Sequence, residues 1–360
     1  MSMRKKVVVA LSGGVDSSVA AALLVQQGYE VHGVSLRMWE GNAGPRVCSD
    51  HRGAEAVAER LKIPHALLDL REYFAETVVK PFAADYLRGR TPNPCVACNR
   101  DFKLGSLLRW AKEKGADYVA TGHYARIARA GNLFSLARGT DRGKDQSYFL
   151  FALSQEQLAS TLFPLGAMQK ADVRNLAREI HLPAAERPES QDICFGDYKP
   201  LVASYAGEKQ IVAGDIVDAS GRVLGRHGGI HGVTIGQRRG LGISAAVPFY
   251  VTDVEEISNR VVVGPKRELS CIGLIARPVN WLHPCDEGVF DAEVQIRYRA
   301  PAVPCVIRNA ADGGVEVRFT KPLDSVTPGQ AAVFYRGERV LGGGWIAKAI
   351  KEGTRETGLG

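Results

Sequence analysis

The stretch from Val7 to Ser18, Val-Val-Val-Ala-Leu-Ser-Gly-Gly-Val-Asp-Ser-Ser, constrains the fold more than any other part of the chain. Val7 to Leu11 is a short, continuous apolar run rich in β-branched residues, as expected of a strand buried on both faces. Gly13 and Gly14 allow a sharp turn and leave the backbone bare. From Asp16 to Gln27, Val19, Ala20, Leu23 and Leu24 fall on one helical face, and Gly28 is placed to end the helix.

A strand that turns through glycines into a helix presents unpaired N–H groups and the positive end of the helix dipole, a setting for phosphate. Ser12, Ser17 and Ser18 add hydroxyl donors. No Gly-Lys-Ser/Thr follows, which excludes a Walker-type loop, and no Gly-x-Gly-x-x-Gly marks a dinucleotide fold here. Ser-Gly-Gly-Val-Asp-Ser resembles the pyrophosphate loop of enzymes that split ATP between its α and β phosphates.

The first part of the chain alternates strand and helix. Strands are expected at Glu30 to Leu36, Ala66 to Leu70 and Tyr118 to Thr121. Helices are expected at Asp50 to Leu61, at Glu72 to Leu87, interrupted or restarted at Pro81, and at Lys103 to Lys114. This rhythm predicts an α/β domain with a parallel sheet, whose ligand lies beyond the C-terminal strand ends. Ser12 to Ser17, Leu36 and Gly122-His123 all fall at such ends. Helical pattern continues to about Ile180, with a capping box at Ser154-x-x-Gln157. After about residue 210 short alternating runs and glycine turns take over, and from 271 their spacing suits a small antiparallel barrel. The expected domains are residues 1–205, a small central β-rich domain at 206–270, and a β-barrel at 271–360.

Thr91-Pro92-Asn93-Pro94-Cys95-Val96-Ala97-Cys98-Asn99 is the second informative stretch. Its prolines predict a stiff extended arm. Cys98 would then stand just before a helix, beside Arg100 and Lys103, where the dipole and the cations favour thiolate and a nucleophilic role. Cys-x-x-Cys also reads as half of a zinc site completed by Cys48-x-x-His51, as a redox pair, or, with Cys194, as three ligands of an iron–sulfur cluster. Cys194 lies in Ser190 to Gly196, a loop by its polar flanks and glycine. Cys271, Cys285 and Cys305, set among β-like runs, are expected to be small buried hydrophobes.

The chain has 360 residues, and its seven cysteines do not suggest a secreted disulfide framework. The N-terminus runs directly into the first strand, and no apolar run is long enough for a membrane span, so a cytoplasmic protein without membrane attachment is expected. A formal charge of +7 suits a polyanionic partner such as RNA.

The pyrophosphate loop, Thr-Pro-Asn-Pro-x-x-x-Cys-Asn, Thr121-Gly122-His123-Tyr124, Lys144-Asp145-Gln146-Ser147-Tyr148-Phe149, Asp192-Ile193-Cys194-Phe195 and Gly236-Gln237-Arg238-Arg239-Gly240-Leu241-Gly242 occur in this order. Together they resemble the tRNA-specific 2-thiouridylase family (MnmA) over nearly the whole chain. The resemblance implies ATP, with Mg2+, on Ala10, Leu11, Ser12, Gly13, Gly14, Val15, Asp16 and Ser17, with Leu36 and Gly122 at matching positions. It implies Cys194 as the persulfide carrier, Cys98 as its partner in a disulfide, and Asn93, Pro94 and Cys95 around the target base. It implies tRNA contacts at His123, Lys144, Asp145, Gln146, Arg297, Tyr298 and Gln330. The implied partners are tRNAs for Lys, Glu and Gln, and a sulfur donor such as a cysteine desulfurase or a relay protein. Many members have Asp where this chain has Cys95, and that departure keeps an iron–sulfur route through Cys95, Cys98 and Cys194 open. The rival readings are another pyrophosphate-loop ligase and a non-catalytic RNA-binding protein.

Overall fold

The computed structural model describes residues 4–39, 50–188, 198–207, 211–244, 247–285, 288–310 and 312–352. Cys48 and the whole Ser190 to Gly196 segment with Cys194 lie outside them. The chain divides into two compact units. The first comprises residues 1–78, 94–196 and 338–341, and the second residues 79–93, 197–337 and 342–360.

In the first unit β1 (Lys6–Ala10), β2 (Glu30–Arg37), β3 (His65–Asp69), β4 (Tyr118–Ala120) and β7 (Thr161–Leu162) form an all-parallel sheet in the order β3-β2-β1-β4-β7. β1 is central, and Val7, Val8 and Val9 are fully buried, each worth about 2 kcal/mol of burial. Helix α1 (Val15–Gln26) is buried on more than one side and ends before Gly28, whose φ of +86° is the left-handed stop its sequence position suggests. Helix α2 (His51–Leu61) carries Ala54, Val57, Ala58 and Leu61 at helical spacing; the first three are buried and Leu61 is half-buried, and Asp50 caps the helix by accepting from Gly53 N.

Two local expectations are corrected and one is made specific. A hairpin of β5 (Ala125–Ala130) and β6 (Leu133–Arg138) follows β4, where no strand was expected. The segment from Arg71 to Leu87 is helical, with a π-helical turn at Ala75–Val79, and its α-helix restarts at Lys80, next to Pro81, as one of the two expected forms has it. Proline is tolerated there because it occupies the first turn of Lys80–Leu87. The second cysteine-region helix begins at Pro94, not near Lys103, for the same reason, so the extended arm stops at Asn93.

The second unit holds two antiparallel-rich sheets. β8 (Gly214–Val217), β9 (Val223–His227), β10 (Tyr250–Glu255) and β11 (Arg260–Gly264) pack around Ile216, Val251, Val261 and Val263. β12 (Ser270–Trp281), β13 (Val289–Gln295), β14 (Val303–Asn309), β15 (Val315–Asp324), β16 (Ala331–Arg336) and β17 (Arg339–Ile350) form the C-terminal barrel, closed by pairing of β12 with the Gly342 to Ile350 part of β17. Cys271 and Cys305 are buried as expected, whereas Cys285, in the turn after β12, is only half-buried. Among the described residues no helix is long and apolar enough to cross a membrane.

Candidate active site

The turn after β1 is built from its own hydroxyls. Ser12 N donates to Ser17 Oγ at 3.2 Å, Ser17 Oγ to Gly14 O at 3.1 Å, and Ser18 Oγ to Gly14 O at 2.8 Å. Gly13 adopts φ +76°, a conformation open to glycine. Gly14 is the N-cap of α1 and supplies no side chain, so no side-chain cap occupies the N–H groups of the first turn. That leaves donors and the dipole end available to an anion.

Gly122, at the end of β4, closes against this loop. A Cβ there would lie 2.7 Å from Asp16 C and from Ser17 N. Leu36 is buried at the C-terminal end of β2. Asp16 is tied to other elements: both its carboxylate oxygens accept from Lys170 Nζ, at 2.6 and 2.7 Å, and Tyr124 OH donates to it at 2.7 Å. Two further groups reach the loop without any motif to announce them. Asp50 N donates to Ser12 O at 2.9 Å, and Arg187 Nη1 bonds both Gly13 O, at 3.1 Å, and the Asp50 carboxylate. Lys170, Asp50 and Arg187 were not legible because each comes from a distant part of the chain.

The neighbouring residue His123 is buried, with Nδ1 2.6 Å from Thr121 Oγ1, and its pKa falls to about 3 through burial and, next, the Lys103 ammonium. Lys103 also acts on both cysteines, so His123 and the two thiols lie within reach of one ammonium. The expected depression of the Cys98 thiol is corrected. Cys98 lies inside the helical run at 5 % exposure, and burial raises its pKa despite the opposing pull of Lys103. Burial also pushes Cys95 up to about 11. Arg100 is spent on Asp101, bonding it twice at 2.7 Å. Neither Cys95 nor Cys98 is in a disulfide, and their proposed partner Cys194 lies outside the described residues. Pro94 is buried at the helix start, next to Asn93.

Asp145 and Gln146 use their side chains on their own loop. Asp145 accepts from Gly139 N, Ser147 N and Ser147 Oγ and pairs with Arg138 at 3.2 Å; Gln146 Oε1 accepts from Tyr124 N at 3.0 Å. Lys144, beside them, is half-buried.

Family models match the chain in three consecutive pieces: a tRNA methyl transferase HUP domain over residues 5–197, a tRNA methyl transferase PRC-barrel domain over 199–265, and an aminomethyltransferase beta-barrel domain over 272–346. A curated relative from Geobacter metallireducens, named tRNA-specific 2-thiouridylase MnmA, is 50% identical over 364 residues, covering 97% of this chain and 99% of its own. The chain belongs to the MnmA family. Relatives of the same name from Geotalea uraniireducens, 49% identical over 98% of this chain and 97% of their own, and Nostoc punctiforme, 45% identical over 95% and 99%, agree.

In the second unit of this MnmA chain Arg297, Tyr298 and Gln330 also make hydrogen bonds within the protein, Tyr298 through its backbone carbonyl. Arg297 donates to Ser325 O and, at 3.1 Å, to Thr327 Oγ1. Tyr298 O accepts from Gln295 Nε2 at 2.7 Å. Gln330 Nε2 donates to Thr91 O at 2.8 Å, and Thr91 N to Pro328 O at 3.0 Å, so this turn holds the start of the Thr91–Asn93 arm.

Proposed function

We propose that this protein is an ATP-dependent tRNA-uridine 2-sulfurtransferase. The observation that carries the reading is the loop from Ser12 to Ser17, with an uncapped helix N-terminus behind it and Gly122 against it. ATP would lie on Ala10 to Ser17, with Leu36 and Gly122 beside it. Backbone N–H groups of the α1 first turn would hold the phosphates, with Arg187 within reach of the same loop. The O2 oxygen of the wobble uridine would attack the α-phosphate, releasing pyrophosphate. This makes AMP the leaving group at C2.

The terminal sulfur of a persulfide on Cys194 would then add to C2, and AMP would depart. Attack of the Cys98 thiolate on Cys194 Sγ frees the thiocarbonyl and leaves a Cys98–Cys194 disulfide, which a dithiol reductant reopens. Because burial raises the Cys98 thiol, its proton must leave before that attack, and Lys103 favours the thiolate. Sulfur would come from a cysteine desulfurase, directly or through a relay, in the cytoplasm. The tRNAs would be those for Lys, Glu and Gln. Asn93, Pro94 and Cys95 would border the base; His123, Lys144, Asp145, Gln146, Arg297, Tyr298 and Gln330 would contribute to the tRNA-facing surfaces. The parts would be residues 1–205, 206–270 and 271–360.

The described residues fit no protein cage for Mg2+: Asp16, the loop's acid, is held by Lys170 and Tyr124, and no group of three His, Cys, Asp or Glu side chains converges. Any Mg2+ would ride on the ATP phosphates. Cys95 and Cys98 are two of the three cysteines of the iron–sulfur alternative, and the third, Cys194, lies outside the described residues.

The test is an anaerobic incubation with unmodified tRNA, ATP, magnesium and a persulfide donor, followed by digestion and mass spectrometry. The expected result is 2-thiouridine from wild type and none from Cys194→Ser. Absence of the thiolated base from wild-type protein that binds ATP, under conditions where a known thiolase works, refutes the reading. Retained activity in Cys95→Ser would exclude an essential three-cysteine cluster.

A further inference from the structure

The helical run that carries Cys98 changes register within itself. After Pro94–Ala97 it is π-helical over Cys98–Ser106, with Leu107 N donating to Phe102 O five residues back, and returns to α over Leu107–Glu113. A π turn inserts one extra residue and rotates what precedes it by one position, about 100°. The burial pattern records that rotation. Downstream, Leu104, Leu107, Leu108 and Ala111 point inward at α spacing. Continued upstream at that spacing, the stripe would run through Arg100 or Asp101 and Ala97, yet these are half-exposed. Buried instead are Phe102, Asn99 and Cys98.

One side chain from another element bonds the π-helical segment twice. Gln157 Nε2 donates to Arg100 O at 2.6 Å and to Leu104 O at 3.1 Å. The other end of the amide is fixed: Gln157 Oε1 accepts from Ser154 N at 2.9 Å, and Gln157 N donates to Ser154 Oγ at 3.1 Å, in a complete capping box. Gly105 permits the shape, since a Cβ there would meet Arg100 O at 2.8 Å.

We propose that Gln157 is a positioning residue for Cys98: by satisfying the Arg100 and Leu104 carbonyls it keeps the π turn that faces Cys98 inward. The catalytic meaning rests on the thiolation reading; the geometric claim does not. The experiment uses Gln157→Glu, which keeps an oxygen for Ser154 N–H but sets a carboxylate against two carbonyl oxygens, and Gln157→Met as a milder variant without the charge. Ser154→Ala, which weakens the cap and leaves the amide donor, is the control. Each is tested as the full chain, with folding checked by circular dichroism. Iodoacetamide labelling of Cys98 is timed by peptide mass spectrometry. Labelling at least tenfold faster in either Gln157 variant that folds, with Ser154→Ala within twofold of wild type, is the expected result. In the thiolation assay kcat should fall at least tenfold while KM for ATP stays within twofold. Labelling unchanged in a folded Gln157 variant overturns the proposal, as does equal acceleration in Ser154→Ala. If both Gln157 variants unfold while Ser154→Ala stays folded, the residue is structural to the whole domain and the proposal also falls. Inactive wild-type protein overturns the thiolation reading alone, because the labelling comparison needs no turnover.

Discussion

Lys170 Nζ grips both carboxylate oxygens of Asp16, at 2.6 and 2.7 Å, from the first turn of the helix Lys170–Glu179. The ammonium is nearly buried and also stands 5.7 Å over the Tyr124 ring, whose hydroxyl bonds the same carboxylate. The acid in the middle of the nucleotide-type loop thus serves as an internal tether.

Removing that tether should loosen the loop. Lys170→Met is expected to cost about 2 kcal/mol, the range for a hydrogen bond between charged groups, and to weaken ATP binding. Urea unfolding and ATP titration check this; an unchanged midpoint with unchanged affinity would mean the pair is ornamental.

Gly122→Ala places a methyl 2.7 Å from the backbone of Asp16 and Ser17, where neither atom is the end of a flexible side chain. Overpacking of this kind costs roughly 1–3 kcal/mol. A folded variant should bind ATP at least tenfold more weakly, which calorimetry would measure; wild-type affinity would show that the loop yields freely.

His123 supplies an acid-branch signature. Its folded pKa is about 3 against an ordinary 6.5, so the unfolded chain binds the proton more readily. The stability it contributes is complete above pH 6.5 and declines as pH falls toward 3, by at most about 1.4 kcal/mol per pH unit. In His123→Gln the decline between pH 6.5 and 4 should be shallower. Parallel curves for the two proteins would remove His123 as the cause.

The cysteines act on the alkaline side. Cys95 titrates at about 11 in the folded protein, above its usual 9, so the unfolded chain loses that proton first and stability falls from pH 9 upward. Cys95→Ala should flatten the fall between pH 9 and 10.5. Native alkylation of Cys95, which is half-buried, should keep rising through pH 10, whereas a plateau near 8.5 would contradict a raised thiol pKa.

The loop, the parallel sheet and the ordered motifs were legible because their information is local: the apolar run Val7 to Leu11, two glycines, and a stripe at Ala54, Val57 and Ala58 each report their own surroundings. The β5–β6 hairpin, though local, is not legible because its first strand, Ala-Arg-Ile-Ala-Arg-Ala, alternates too weakly. The start of the cysteine helix was misplaced because Pro94 fits a first helical turn as readily as an arm.

What the sequence by itself determined is the family, the α/β nucleotide domain with its β-rich continuation, and which residues to examine. Tertiary structure alone decided their states. Burial, not the helix dipole, governs the Cys98 thiol, and Asp16 belongs to Lys170, which is 154 residues away. The register that turns Cys98 inward depends on Gln157, from a different element. Desolvation and ion pairing depend on what surrounds a group in space, and spacing along the chain carries no record of those neighbours.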